Sequence, residues 1–192
     1  MGLPQAAPRE PKHHRKIDCE GFLRADGLWD IDAHLVDTRS YDCGYDETHR
    51  GGVIRAGEPV HDMWLRLTID LDFLIHDVRA ASEQTPFAIC PRAAETMREL
   101  IGLRIGPGWR RQVRARIGSN QSCTHLMDLL GQLTATAYQT LHAALEERDA
   151  QRDARVKPPI IDTCLALSSS GEVVKKRWPD FYREASNEES DT

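Results

Sequence analysis

The run Gly57-Glu58-Pro59-Val60-His61-Asp62-Met63-Trp64-Leu65-Arg66-Leu67-Thr68-Ile69-Asp70 sets acids, a base, a cation and an indole at strand spacing. Side chains alternate across a β-strand. Met63, Leu65, Leu67 and Ile69 therefore share a face with His61, while Asp62, Trp64, Arg66, Thr68 and Asp70 share the other. Upstream, Asp30, Asp32 and His34 make a second polar row in the alternating run that holds Trp29, Ile31, Ala33 and Leu35. If the sheet is closed or curved, these rows converge, and such a pocket shifts pKa values enough for proton transfer near neutral pH. If it is flat, they are a solvated face laced with ion pairs. Trp64 argues for shelter, because so large a side chain is seldom left on open surface.

A second group is Ser122-Cys123-Thr124-His125, which precedes an apolar-periodic run. A helix N-terminus offers unpaired N–H groups and positive dipole to carboxylates and oxyanions. Ser122 is the predicted cap, and His125, at the third helical position, suits an acid or base. The plain alternative is a capped helix with a solvent-facing histidine. A third group is Gly106-Pro107-Gly108-Trp109 with Arg104, Arg110, Arg111, Arg114 and Arg116. It lacks the Lys-Ser/Thr ending and glycine spacing of a phosphate loop. The arginines suit an anion cradle, or a solvated helix face paired with Glu95 and Glu99. Nucleic-acid binding is not expected from a chain with a formal net charge of −5.

His34, His61, His76 and His125 with nearby aspartates could supply nitrogen and oxygen ligands to a metal. No His-x-His, His-Glu-x-x-His or paired-cysteine spacing supports that, so no metal is expected. Cys19, Cys43, Cys90, Cys123 and Cys164 are odd in number and scattered, a pattern of free thiols in a reducing cytoplasm. Cys90, before Pro91, and Cys123 have the best setting for a nucleophile, but buried inert thiols are the default.

The elements that must position these residues read as α+β, with strands first and helices afterwards. The chain of 192 residues, 40% apolar and 29% charged, suits one globular domain. The expected organisation is a mobile Pro-containing arm over 1–14, a single domain over 15–183 and a disordered acidic tail over 184–192. Two extended runs between Lys16 and Arg39 meet at Asp26-Gly27, a hairpin signal. Residues 40–60 form a long glycine-rich loop that contains Tyr41. The strand described above and a partner over Phe73–Ala80 complete an antiparallel meander of about four strands. Three helices packed on the sheet follow. One starts near Pro91 and is capped by Gly102, and a short Arg-rich one stops near Gly118. A long one from Ser122 to Arg148 carries the stripe Leu126, Leu130, Leu133, Ala137, Leu141 and Leu145. Ile160–Leu167 reads as a late strand or an extended wrap. No apolar run is long enough to span a bilayer.

Four segments together resemble the bacterial domain-of-unknown-function family 2889. They are Asp26-Gly27-Leu28-Trp29-Asp30-Ile31, Gly57 to Thr68, Ile101-Gly102-Leu103-Arg104-Ile105-Gly106-Pro107-Gly108-Trp109 and Cys123-Thr124-His125-Leu126. The likeness covers about residues 14 to 142. It implies companionship with enzymes of aromatic and steroid breakdown. It also suggests similarity to cofactor-free lyases that release formaldehyde from lignin-derived aromatic dimers, a link tied to no particular residue. The matching segments hold Asp30, His61, Asp62, Trp64, Arg66, Trp109, Thr124 and His125.

The resulting expectation is a cytoplasmic lyase without cofactor, cleaving a carbon–carbon bond of a small aromatic substrate in retro-aldol fashion. His61 or His125 would take a proton from a substrate hydroxyl, Asp62 or Asp30 would orient that base, and Arg66 would hold a developing phenolate or carboxylate. Trp64 and Trp109 would stack on the ring, with Thr124 and Tyr41 as further substrate contacts. No nucleic-acid or membrane partner is expected, and a homodimer is a possible assembly. The alternatives are a non-catalytic module for an aromatic or acyl ligand and a metal-dependent hydrolase using the His/Asp groups.

Overall fold

A computed structural model of the chain describes residues 2–118, 120–151 and 156–184. The strands are β1 (His13–Leu23), β2 (Trp29–Arg39), the two-residue pair β3 (Cys43–Gly44) and β4 (Val53–Ile54), β5 (Pro59–Ile69) and β6 (Ile75–Gln84). The helices are α1 (Arg92–Thr96), α2 (Trp109–Ile117), α3 (Thr124–Thr140), α4 (His142–Ala150) and α5 (Glu172–Arg177). Strands β1-β2-β5-β6 form one antiparallel sheet in that order, with β3–β4 as a separate ribbon. The fold is α+β, as the order of patterns implies.

Chain chemistry explains the turns. Gly27 takes φ 83° at the β1–β2 hairpin, a conformation open to glycine at no steric cost. The 40–60 loop is ordered by Asp42, whose carboxylate accepts from Ala56 N–H and the Arg55 guanidinium.

One face of the sheet makes the core. Ile31, Ala33 and Leu35 of β2 and Met63, Leu65, Leu67 and Ile69 of β5 are all buried. Helix α3 packs across this face against β1, β2 and β5, bringing Leu126, Leu129, Leu130, Leu133 and Ala137. At Gly21 of β1 helix α3 comes close: a Cβ there would lie 2.6 Å from Thr140 Cβ. On the opposite face Trp64 and Arg66 of β5 are exposed.

The segments after the sheet depart from the sequence reading in four places. The helix expected from near Pro91 to Gly102 ends as α1 at Thr96 and continues as a 3-10 turn over Met97–Leu100. The expected long helix is two, α3 and α4, broken at Leu141, and Leu145 lies outside the buried stripe. The N-cap is Cys123 in place of Ser122, so His125 is the second helical residue. Over Ile160–Leu167 there is no strand but a 3-10 turn at Leu165–Leu167.

The chain divides into two compact units, 1–142 and 143–192. The cut falls at the start of α4, which buries none of its residues and so has no apolar stripe to tie down. In the second unit Val174 and Ile161 are buried, and Asp162 accepts from Lys157 and from Ser169 N–H. In the first unit, His13 and His14 belong to β1, not to the preceding arm. Of the acidic tail expected over 184–192, residues 185–192 lie outside the described residues.

Candidate functional site

The site is built at one end of the core face, where the apolar alternation of each strand ends in a polar residue. On β2 the register Ile31, Ala33, Leu35 continues to Asp37. On β5 the register Leu65, Met63 continues to His61, and on β1 Cys19, Ile17 continues to Arg15. Pairing sets Arg15 opposite Asp37 and Asp37 opposite His61, so the three form one cross-strand row. The register then shifts between Asp37 and Thr38, leaving Val60 without a partner. Such a bulge re-aims side chains, and consecutive Val60 and His61 both line one cavity. The first turn of α3 adds His125 from above.

Asp37 is the hub and is 2% exposed. Arg15 donates to both carboxylate oxygens, from Nε to Oδ1 and from a terminal nitrogen to Oδ2, each at 2.8 Å. His13 Nε2 lies 3.0 Å from Oδ1, His61 Nδ1 3.2 Å from Oδ2 and His125 Nε2 3.5 Å from the same oxygen. The imidazoles of His61 and His125 face one another, with ring centroids 3.7 Å apart and planes tilted by 32°.

These contacts fix the charge states. Burial alone would push the Asp37 carboxyl up, but the bidentate Arg15 guanidinium outweighs it and holds the group below the usual carboxylate range. Burial, with repulsion from His125 second, drives His61 down to about 4. Burial and then the Arg15 charge also lower His125. Near neutral pH His61 is thus a neutral imidazole beside an ionised carboxylate. An Nδ1–H facing Asp37 Oδ2 leaves Nε2 with its lone pair, the tautomer of a base.

The cavity is about 370 Å³ and is lined by His13, Arg15, Asp37, Arg39, Tyr41, Val60, His61 and His125. Of the residues singled out in the sequence, His61, His125 and Tyr41 meet here. The others go elsewhere, and alternation is the reason for most. Asp30, Asp62, Trp64 and Arg66 are even-numbered residues of their strands and point to the uncovered face. There Asp62 pairs with His34 at 2.7 Å, Trp64 stacks on that imidazole at 3.7 Å, and Arg66 clamps Asp32. Asp30 accepts from Thr68 at 2.6 Å. This is the ion-paired outer face, with Trp64 44% exposed. The carboxylate beside His61 and His125 is therefore Asp37 and not Asp62 or Asp30, and Arg66 lies against a different, smaller cavity with Asp32 and Trp64. Trp109 is buried with Val113 and Ile117 of α2, a core residue and not a ring platform. Thr124 is exposed at the start of α3.

The residues missed in the sequence are Asp37, Arg15, His13 and Arg39. A polar residue at an apolar phase was the available signal: Asp37 ends the Ile31–Ala33–Leu35 register just as His61 ends its own.

Asp37, His61 and His125 could also hold a metal ion, since one ligand atom from each lies within 4.8 Å of the others. Two imidazoles on one tetrahedral ion, with metal–nitrogen bonds of about 2.1 Å, hold their ring centroids about 5 Å apart. At 3.7 Å the rings stack instead of converging. Ligation would require them to part by more than an ångström.

The family described as protein of unknown function (DUF2889) matches residues 13–139. That span runs from the first residue of β1 to the end of α3 and includes every residue of the cavity. No curated protein and no solved structure matches the chain.

Proposed function

The chain belongs to the DUF2889 family, and we propose that it is a cofactor-independent lyase that cleaves a carbon–carbon bond in a small aromatic molecule by acid–base chemistry. The observation that carries this reading is the closely apposed His61–His125 pair, its proton affinity lowered by burial, above the Asp37–Arg15 clamp. In the proposed step, His61 Nε2 takes the proton of a substrate hydroxymethyl group. The O–H electron pair becomes the carbonyl of formaldehyde, and the carbon–carbon pair passes to the aromatic fragment. The imidazolium then returns its proton to that carbon, so that R–CH2OH gives R–H and formaldehyde. Asp37 orients the base and stabilises its protonated form, and Arg15 keeps Asp37 ionised. His125 shares the proton load at van der Waals distance. The free thiols Cys19, Cys43, Cys90, Cys123 and Cys164 suit a reducing compartment, so the reaction is assigned to the cytoplasm.

The test is to incubate the protein with phenolic diaryl substrates bearing a hydroxymethyl group and assay formaldehyde. Turnover should fall by roughly 10²–10⁴ in His61→Ala, the usual worth of a general base, and should be indifferent to chelator. Turnover unaffected in His61→Ala plus His125→Ala would end the mechanism. Activity lost to chelator and regained with added metal would favour the metal-dependent hydrolase, and tight binding without conversion the non-catalytic module.

A further inference from the structure

We infer that the cavity has an anion subsite built on Arg39, and that its ligands are aromatic carboxylates. The starting observation is the charge left over in the cavity. Arg15 is answered twice, by Asp37 on both oxygens and by Asp128 at 3.4 Å. Arg39 is answered by no carboxylate among the described residues. Its guanidinium donates to Cys43 Sγ at 3.0 Å and lies 5.9 Å from the centre of the Tyr41 ring. A thiol sulfur is a weak acceptor and carries no compensating charge. Asp37 and Arg15 cancel, and no second carboxylate lines the cavity to answer Arg39, which keeps donors to spare.

The guanidinium fork matches a carboxylate in plane and spacing, which an ammonium would not. Tyr41, half exposed beside it, and the buried Val60 supply apolar surface for a ring. A volume near 370 Å³ lies at the low end for small-molecule sites, which run from about 300 to 1,000 Å³. A ring with one acidic group fits that description, and a polyanion does not. A carboxylate seated on Arg39 leaves the rest of the ligand toward the histidines, so this subsite would select and orient the substrate. Arg39 is a binding residue here and takes no part in proton transfer.

The inference rests on the same cavity being the substrate site but not on the reaction proposed there. Calorimetric titration with benzoate and with benzyl alcohol, which keeps the ring and drops the charge, separates the two. Benzoate should bind the wild-type protein at least tenfold more tightly. Arg39→Gln should abolish that preference, while Arg66→Gln, on the opposite sheet face, should retain it. If Arg39→Gln fails to fold, the side-chain Nε–H signal of Arg39 in the wild-type protein should shift on adding benzoate. Equal affinities for the two probes, no benzoate binding, an unshifted Arg39 signal or a folded Arg39→Gln that keeps the preference would each overturn the subsite. Formaldehyde release with no benzoate preference would sink this inference alone. The preference without formaldehyde release would sink the lyase reading alone.

Discussion

Asp37 holds four side chains in place with one carboxylate, and its burial makes that arrangement sensitive to charge. His61 pays for its sheltered place with a lowered proton affinity, down to about 4 from 6.5. Between those two values the unfolded chain binds a proton at His61 that the folded chain refuses, so stability falls as pH falls through that window. From pH 7 to 4.5 the loss from this group is about 2–3 kcal/mol, at about 1.4 kcal/mol for each unit of pKa difference. Urea denaturation of wild type and His61→Gln at both pH values measures it. The variant should show a pH dependence flatter by about that amount, whereas equal slopes would mean that the imidazole is not buried against the cluster. The depressed His125 acts in the same direction, since its folded form also resists protonation.

At the scale of elements, the site depends on how closely α3 can lie on the sheet. His125 reaches Asp37 only because the helix crosses β1 and β2 at short range, and Gly21 permits that approach at the far end of α3. A Cβ at residue 21 would stand 1.9 Å from Thr140 Oγ1 and 2.6 Å from Thr140 Cβ, and the branched side chain cannot swing its Cβ away. Gly21→Ala should therefore destabilise the protein by about 1–3 kcal/mol, the range for overpacking. Gly44→Ala, which meets nothing within 4 Å, is the control and should change stability little. Denaturant midpoints compare them, and a neutral Gly21→Ala would show that α3 does not sit so close.

The elements were also where the sequence was most readable. Asp26-Gly27 marked the hairpin, alternation separated the faces of β5, and Gly118 closed α2 with positive φ. The break at Leu141 was not readable, because neither glycine nor proline marks it and the stripe continues through it. The shift of the cap from Ser122 to Cys123 has no side-chain hydrogen bond behind it, so no cap propensity could have announced it.

For the whole molecule, the decisive fact is which face of the sheet α3 covers. Sequence periodicity paired His61 with the apolar face and Asp62 with Arg66 on the other, but could not say which face would be sheltered. The polar row lies on the other side, ion-paired and with Trp64 exposed. The buried cluster of titratable groups sits instead where three apolar registers end, and Asp37 carries no signal in the sequence because a single acid at a strand end looks like ordinary surface. The central claim is that residues 37, 61 and 125, remote in sequence, enclose one chamber. An NMR nuclear Overhauser measurement between the ring protons of His61 and His125, in a protein deuterated elsewhere, tests this most directly. Rings 3.7 Å apart should give a strong cross-peak that disappears in His125→Ala. Two sharp histidine signals with no cross-peak between them would contradict the account.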